Sequence, residues 1–237
     1  MFERSSLAVV GLIGLFVMGC SSEETTSSAN IKTGGIAALI DVYADTATTA
    51  TVHVELRVGG SDSNTYVDLD NGDELRAKAG DQERVLTTRD SGIYEANFSG
   101  VGAETMFSVV LDRPSDTTAA DNSGSLPAPF DLAKPTAGLS RQDDDLAVEW
   151  SPSGTDDGMT FELDGDCIFK FTNEPSDVGS FTIEKGSLKS TGGDDPKTCD
   201  ITVDAQRSRA GTVDAAFDPE SWFRLHQRRS TKFSSNP

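Results

Sequence analysis

Thr51-Val52-His53-Val54-Glu55-Leu56-Arg57-Val58 is the stretch on which the reading of the fold turns. Val52, Val54, Leu56 and Val58 alternate with His53, Glu55 and Arg57, so an extended chain places the aliphatic side chains on one side and the polar ones on the other. A helix would scatter the valines around its axis and restrict each at χ1. The segment predicts a strand with one buried face.

Working outward, similar alternation marks Ile36–Tyr43, Thr65–Leu69, Asp73–Ala79, Arg84–Arg89, Ile93–Phe98 and Thr105–Leu111. Asp70-Asn71-Gly72 reads as a hairpin turn, because Asn-Gly tolerates the positive φ of a type I′ turn. Short strands at this density predict a β-sandwich over residues 36–113. Asp90-Ser91-Gly92-Ile93-Tyr94-Glu95-Ala96 resembles the D-x-G-x-Y-x-C stretch of immunoglobulin-type domains. The resemblance implies that the Tyr94 hydroxyl closes a corner, and with Ala96 in the cysteine position it implies no inter-sheet disulfide.

Composition shifts between Pro114 and Gly138, where small and polar residues give way to repeated prolines. Proline removes ladder donors, so residues 114–129 read as a linker feeding a second β-sandwich over 130–237. Its strands are predicted near Phe130–Leu132 and at Leu146–Trp150, Met159–Leu163, Cys167–Phe171, Phe181–Ile183, Cys199–Ala205 and Trp222–Phe233. Alternation places Phe169 and both cysteines on core faces. No helical period runs through the body, and the fold class is all-β: two tandem immunoglobulin-like sandwiches.

At the other end, Leu7–Met18 is an unbroken apolar run too short to cross a bilayer as a helix, which needs about 20 residues. It has the length of a signal-peptide core behind a short segment carrying Arg4. Val17-Met18-Gly19-Cys20 resembles the lipobox of bacterial lipoproteins. That resemblance implies removal of residues 1–19, lipid on Cys20, and membrane attachment through that lipid. Ser21 after the cysteine, in place of Asp, implies outer-membrane sorting. The polar stretch over residues 20–35 cannot bury enough apolar surface to offset ordering and reads as a flexible tether. The layout as a whole resembles uncharacterised proteobacterial lipoproteins with paired β-sandwich domains, which implies architecture and no activity.

A formal net charge of −19 argues against nucleic acid as a partner, since phosphate binding needs clustered Lys and Arg. Anionic lipid would also repel the body, leaving the acyl chains as the membrane contact. With Cys20 lipidated, Cys167 and Cys199 remain in an oxidising compartment. A disulfide is the favoured reading over a metal site, because neither a CxxC pair nor a nearby His accompanies them.

Catalytic patterns are missing. The motifs Gly-x-Ser-x-Gly, His-Glu-x-x-His and the P-loop do not occur, and no cofactor is expected. His53 and His226 read as solvated surface histidines. Asp68, Asp70 and Asp73 fail the EF-hand register, with Gly72 and Ala79 at ligand positions. Strands in sandwich order would bring Asp143, Asp144, Asp145, Asp164, Asp166, Asp194 and Asp195 to one pole. The alternatives there are a solvated acidic rim, which is favoured, and a Ca²⁺ site. Trp222, Arg224, Arg228 and Arg229 form a basic, aromatic-bearing stretch with the composition of interface anchors. The functional expectation is a non-enzymatic binding or structural module. The rivals are an accessory subunit docking an envelope membrane protein through residues 222–233, and a β-scaffold hydrolase.

Overall fold

The computed structural model describes residues 24–193 and 195–237; the signal segment, Cys20 and Asp194 lie outside the described residues. In chain order the strands are β1 (Glu24–Ser27), β2 (Ile36–Ala44), β3 (Thr49–Val58), β4 (Thr65–Asp68), β5 (Glu74–Ala79), β6 (Gln82–Val85), β7 (Thr87–Asp90), β8 (Ile93–Ser99), β9 (Met106–Asp112) and β10 (Ala119–Ser125). They continue as β11 (Asp131–Leu132), β12 (Leu139–Ser140), β13 (Leu146–Ser151), β14 (Gly158–Asp164), β15 (Phe171–Asn173), β16 (Ser180–Ile183), β17 (Cys199–Ala210) and β18 (Trp222–Asn236). Among the described residues there is no α-helix, and the protein is all-β.

One sheet runs through the whole molecule in the order β1-β4-β3-β2-β18-β17-β14-β15, with β8 also on β3 and β7 on β8. A four-stranded sheet, β10-β9-β5-β6, covers one part of it, and a three-stranded sheet, β11-β13-β16, covers the other. Two sandwiches result. The first core joins Val52, Val54 and Leu56 to Leu75, Phe107, Leu111 and Phe98. The second joins Phe161, Leu163, Ile201 and Val203 to Val148, Trp150 and Ile183.

The hairpin of β17 and β18 belongs to both sandwiches, which corrects the expectation that residues 130–237 form the second alone. Phe223 and Leu225 at the start of β18 lie in the first core, and Phe233 near its end lies in the second. Residues 222–227 pair in parallel with 39–44 of β2, while the rest of β18 pairs with β17 in the second sandwich. A 15-residue strand spans about 50 Å at ~3.3 Å per residue, enough to cross two sandwiches placed end to end.

The predicted linker is a correction too. Residues 119–125 form strand β10 on β9, with Ala119 and Leu126 buried in the first core. Its polar sequence hid a strand held partly by Asn122, whose buried amide donates to the carbonyls of Val109 and Ala119 at 2.9 and 3.2 Å. Gly124 is needed where β10 crosses β18, because a Cβ there would stand 2.5 Å from Leu225 Cδ1. The strap that follows is bonded from beneath: Gln227 Nε2 donates to Pro127 O (3.1 Å) and Arg207 Nη1 to Ala128 O (2.8 Å).

The predicted tether is corrected for residues 24–35. Here β1 adds in parallel to β4, and Ser28 and Thr33 are buried. The cause is Arg113, a buried guanidinium that donates to Ser28 O at 2.6 Å, Ile31 O at 3.1 Å and Thr33 Oγ1 at 3.1 Å. Polar chain is ordered here by hydrogen bonds to a buried cation, with little apolar burial.

Asn71 and Gly72 have φ of 54° and 84°, the turn expected from the sequence. It does not close a hairpin, however, because β4 and β5 lie in different sheets and β1 occupies the free edge of β4. The Tyr94 hydroxyl accepts from Leu69 N (2.8 Å) and donates to Val67 O (3.3 Å), tying β8 to the end of β4 as a corner tyrosine does. Strand β15 begins only at Phe171, and Phe169, expected in the core, is 64% exposed.

Cys167 and Cys199 are bridged. Closing a loop over a sequence separation of 32 restricts the unfolded chain by roughly 3–4 kcal/mol. Reduction, or Cys167→Ser with Cys199→Ser, should lower the urea-unfolding free energy by about that amount. Equal midpoints for oxidised and reduced protein would show the bridge to be energetically idle.

Candidate functional site

The inner face of the long sheet is consumed by the two cores, so its outer face is where the polar residues of the central strands collect. Alternation fixes which they are: Asp41 and Tyr43 on β2, His53, Glu55 and Arg57 on β3, Trp222, Arg224, His226 and Arg228 on β18, and Gln206 and Ser208 on β17. Register sets Ser208 beside His226 and His226 beside Tyr43.

Aromatic rings and guanidinium groups interleave across this face. The Tyr43 and His226 rings stack, with centroids 5.1 Å apart and 18° between planes. Arg228 lies 4.0 Å over the Tyr43 ring while pairing with Asp45 at 2.7 Å, and Arg224 lies 4.1 Å over Trp222. Trp222 Nε1 donates to Asp41 Oδ2 at 3.1 Å. Of the four residues expected to bind a partner, Trp222, Arg224 and Arg228 therefore meet on one surface. Arg229 is set apart from them: strand alternation turns its guanidinium inward, 5.5 Å over Phe130 and donating to Ala44 O, although the residue also lines the groove described below.

His226 is buried, correcting the expectation of a solvated ring. Its Nε2 lies 2.9 Å from Asp41 Oδ1 and its Nδ1 2.9 Å from Ser208 Oγ. Gln206 donates to that same hydroxyl at 3.1 Å, and the Asp41 carboxylate accepts from Nε2. The groups are those of a serine-hydrolase triad, but acyl transfer also needs free N–H donors for an oxyanion. Around Ser208 the backbone is committed to ladders on both sides, to Gly158 of β14 and to His226 of β18. The arrangement works as a cross-strand clamp.

His53 stands between two carboxylates, with Nδ1 3.1 Å from Glu95 and Nε2 3.4 Å from Glu55. Its pKa is raised, first by the hydrogen bond with Glu55 and then by that with Glu95, against the opposing effect of burial. The Glu55 carboxyl is pushed down to about 2, by His53 foremost and by Arg57, again against burial. A group whose folded pKa is raised gives stability that is complete below its unfolded value of about 6.5 and fades as pH climbs through the folded value. His53→Gln should therefore flatten the decline in urea midpoint above about pH 6.5. Parallel midpoint profiles for the two proteins would exclude His53 as the titrating group.

Where the two sandwiches meet, the face sinks into a groove of about 670 Å³ between Asp45 and Arg228 on one side and Glu162, Asp204, Gln206 and Ser230 on the other. Glu162 faces Asp204 directly across β14 and β17. The groove is thus lined by the Arg228–Asp45 ion pair on the first sandwich and by two carboxylates, Glu162 and Asp204, on the second.

Among the described residues no three His, Cys, Asp or Glu side chains are placed to hold a metal ion. At the expected acidic pole Asp144 accepts from Ser140 N, Asp145 from Lys185 N and Asp164 from Gly165 N, each tied to a different part of that end of the molecule. The cation that organises this end is a guanidinium: buried Arg141 donates to Ser190 Oγ, Ser235 O and Lys197 O. Asp143, Asp166 and Asp195 show no resolved part in a shared site, and Asp194 lies outside the described residues.

A third cluster had not been anticipated. Arg207 and Asp177 form a fully buried ion pair at 3.0 Å, and Trp150 Nε1 donates to the same carboxylate at 2.6 Å. The signal was present: Ile201, Val203, Ala205 and Arg207 share one face of β17, so period two already sent a guanidinium into the core.

Neither a family model nor a curated protein matches the chain. Among solved structures it is similar to the Yersinia pseudotuberculosis adhesin InvE, at 14% identity over 86% of this chain and 59% of that one, with a TM-score of 0.24. It is also similar to a tetra-tandem repeat in the extending region of a large adhesion protein, at 14% identity over 83% and 49% and a TM-score of 0.25. A tandem from titin gives 8% identity over 83% and 65%, with a TM-score of 0.26. The chain spans about half to three fifths of the length of the two adhesion structures. At these TM-scores the likeness carries no argument about activity or partner.

Proposed function

We propose that this chain is an exported, lipid-anchored envelope protein, held on the outer membrane through Cys20, that acts as a non-enzymatic binding module. Its recognition surface is the outer face of the shared sheet. The observation that carries this reading is the pairing of Arg224 on Trp222 and Arg228 on Tyr43 on adjacent strands. Arg and aromatic residues set on a rigid sheet supply large contact area at little entropic cost, as interface anchors do. The acidic half of the groove adds polarity along the face, which favours a partner with its own charged and aromatic surface, an envelope protein.

The accessory-subunit reading is narrowed by topology. β17 pairs β18 over residues 224–235 and β2 pairs it over 222–227, so residues 224–227 have no free edge for an added strand, and deleting 222–233 would remove wall from both sandwiches. The test is therefore made on side chains. A photoreactive residue at position 224 in intact envelopes should form a discrete protein adduct, and one at position 78, exposed on the opposite sheet, should not. Equal adducts at both positions, or none at 224, would refute the face as a recognition surface. For the anchor, Cys20→Ala should move the protein from the membrane pellet to the soluble fraction; retention in the pellet would refute it.

A further inference from the structure

The sheet topology gives the molecule a direction. The chain enters at Glu24, whose N–H donates to Asn64 O at the start of β4. The same end holds the loop 59–64 and the turn 218–221, joined by Ser61 N donating to Glu220 Oε2 at 2.8 Å and Asp218 N donating to Ile36 O at 2.9 Å. From this end β2 and β18 run in parallel away from the entry point. β18 continues past the end of β2 into the second sandwich, reaching Ser235 beside Cys199 and Arg141. The second sandwich therefore lies at the end of the molecule opposite to the entry of the chain.

We infer that the protein stands upright on its membrane, with loop 59–64 and turn 218–221 at the bilayer surface and the far end of the second sandwich about 50 Å above it. This rests on the reading of Cys20 as the lipidated residue. Only Ser21, Ser22 and Glu23 separate that cysteine from β1, and however they run they span at most ~14 Å. A tether ending at residue 35 would have let the body tumble; Arg113 and β4 end it at residue 24. Height is then set by the body, because the two sandwiches share one hairpin and cannot swing on a linker. The chain carries −19 overall, so an anionic surface offers the body no net attraction that would draw it down onto the headgroups. The groove and its aromatic–guanidinium face are consequently presented sideways, parallel to the membrane plane and above the headgroups.

The test uses the full-length lipidated protein in vesicles of phosphatidylethanolamine and phosphatidylglycerol carrying an energy acceptor on the headgroup. A donor dye is coupled to an azide-bearing residue placed at position 62 or, in a second protein, at position 185 near the far end. Flotation with the vesicles is measured first. Transfer from position 62 should exceed that from position 185 several-fold, and a 20-residue Gly/Ser insertion between Glu23 and Glu24 should erase the difference. Equal transfer from both sites in floating, uninserted protein would overturn the upright placement while leaving the anchor intact. Failure to float would overturn the anchor reading, and the placement with it.

Discussion

Replacing Arg207 by alanine is expected to destabilise the protein by about 3–5 kcal/mol, the loss seen when one member of a buried ion pair is removed. Arg207 and Asp177 are both fully buried. Burial alone would raise the Asp177 carboxyl; hydrogen bonds from Thr155, Trp150 and Arg207 outweigh it and hold the pKa below the ordinary carboxylate range. Without Arg207 that charge stays in the core with its three neutral donors, Trp150 Nε1, Thr155 N and Thr155 Oγ1, and the carbonyls of Ala128 and Pro152 lose theirs. The guanidinium also covers the Phe130 ring at 5.0 Å, where the strap enters the second sandwich. Arg207→Met combined with Asp177→Asn should cost distinctly less than Arg207→Ala, since the buried charge goes with its partner. A lowered folded pKa means stability present above the unfolded value of about 3.9 and lost as pH falls, so the double variant should also be less sensitive to acid. Urea unfolding followed by tryptophan fluorescence reads both effects. A loss below about 1 kcal/mol for Arg207→Ala would show that this pair does not hold the seam.

Most central strands were legible because period two is a local signal: Val52 to Val58 in the first sandwich and Leu146 to Trp150 in the second can be placed from their own residues. Three things were not local. Strands β1 and β10 carry polar sequences, ETTS and AADNSGS, and are ordered by Arg113, Asn122 and a neighbouring edge far along the chain. Nothing within either segment reports those partners. The fifteen-residue alternation of β18 was visible up to Phe233, but alternation says which face a residue takes and not which core lies there. Phe223 and Phe233 look alike in sequence and serve different sandwiches. The binding face was half legible: Trp222, Arg224 and Arg228 were singled out by composition, whereas Tyr43, His53 and Asp41 joined them only through the parallel pairing of β18 with β2. At the acidic pole loop order brings carboxylates to one end, and among the described residues no three of them are placed to hold a metal ion.

Arg113→Met is expected to cost about 3–5 kcal/mol and to release residues 24–35 from the first sandwich. The guanidinium is nearly inaccessible, as is the Asp73 carboxylate it contacts at 2.8 Å. It donates to Ser28 O, Ile31 O and Thr33 Oγ1, and Asp116 beside it accepts from Thr33 N at 3.1 Å. Methionine fills comparable volume and offers none of these donors, so the nearly inaccessible Asp73 carboxyl loses its cation while the buried Ser28 carbonyl and the part-buried Ile31 carbonyl lose their bonds. What remains on the segment is β1 on β4, four residues paired at an edge, and a few separate bonds, among them Asp70 N to Ser28 Oγ, Thr33 N to Asp116 and Thr33 Oγ1 to Thr117 O, which is too little to hold a polar chain that buries few apolar groups. Amide exchange should therefore accelerate across 24–35 well beyond the rest of the first sandwich, and proteases should cut there first. Asp73→Asn in the Arg113→Met background should recover part of the stability by removing the stranded charge, yet leave the segment free, which separates the electrostatic loss from the loss of the clasp. Protection of 24–35 that survives Arg113→Met unchanged would mean that β1 alone fixes the chain, and that the distance between lipid and body does not depend on the buried arginine.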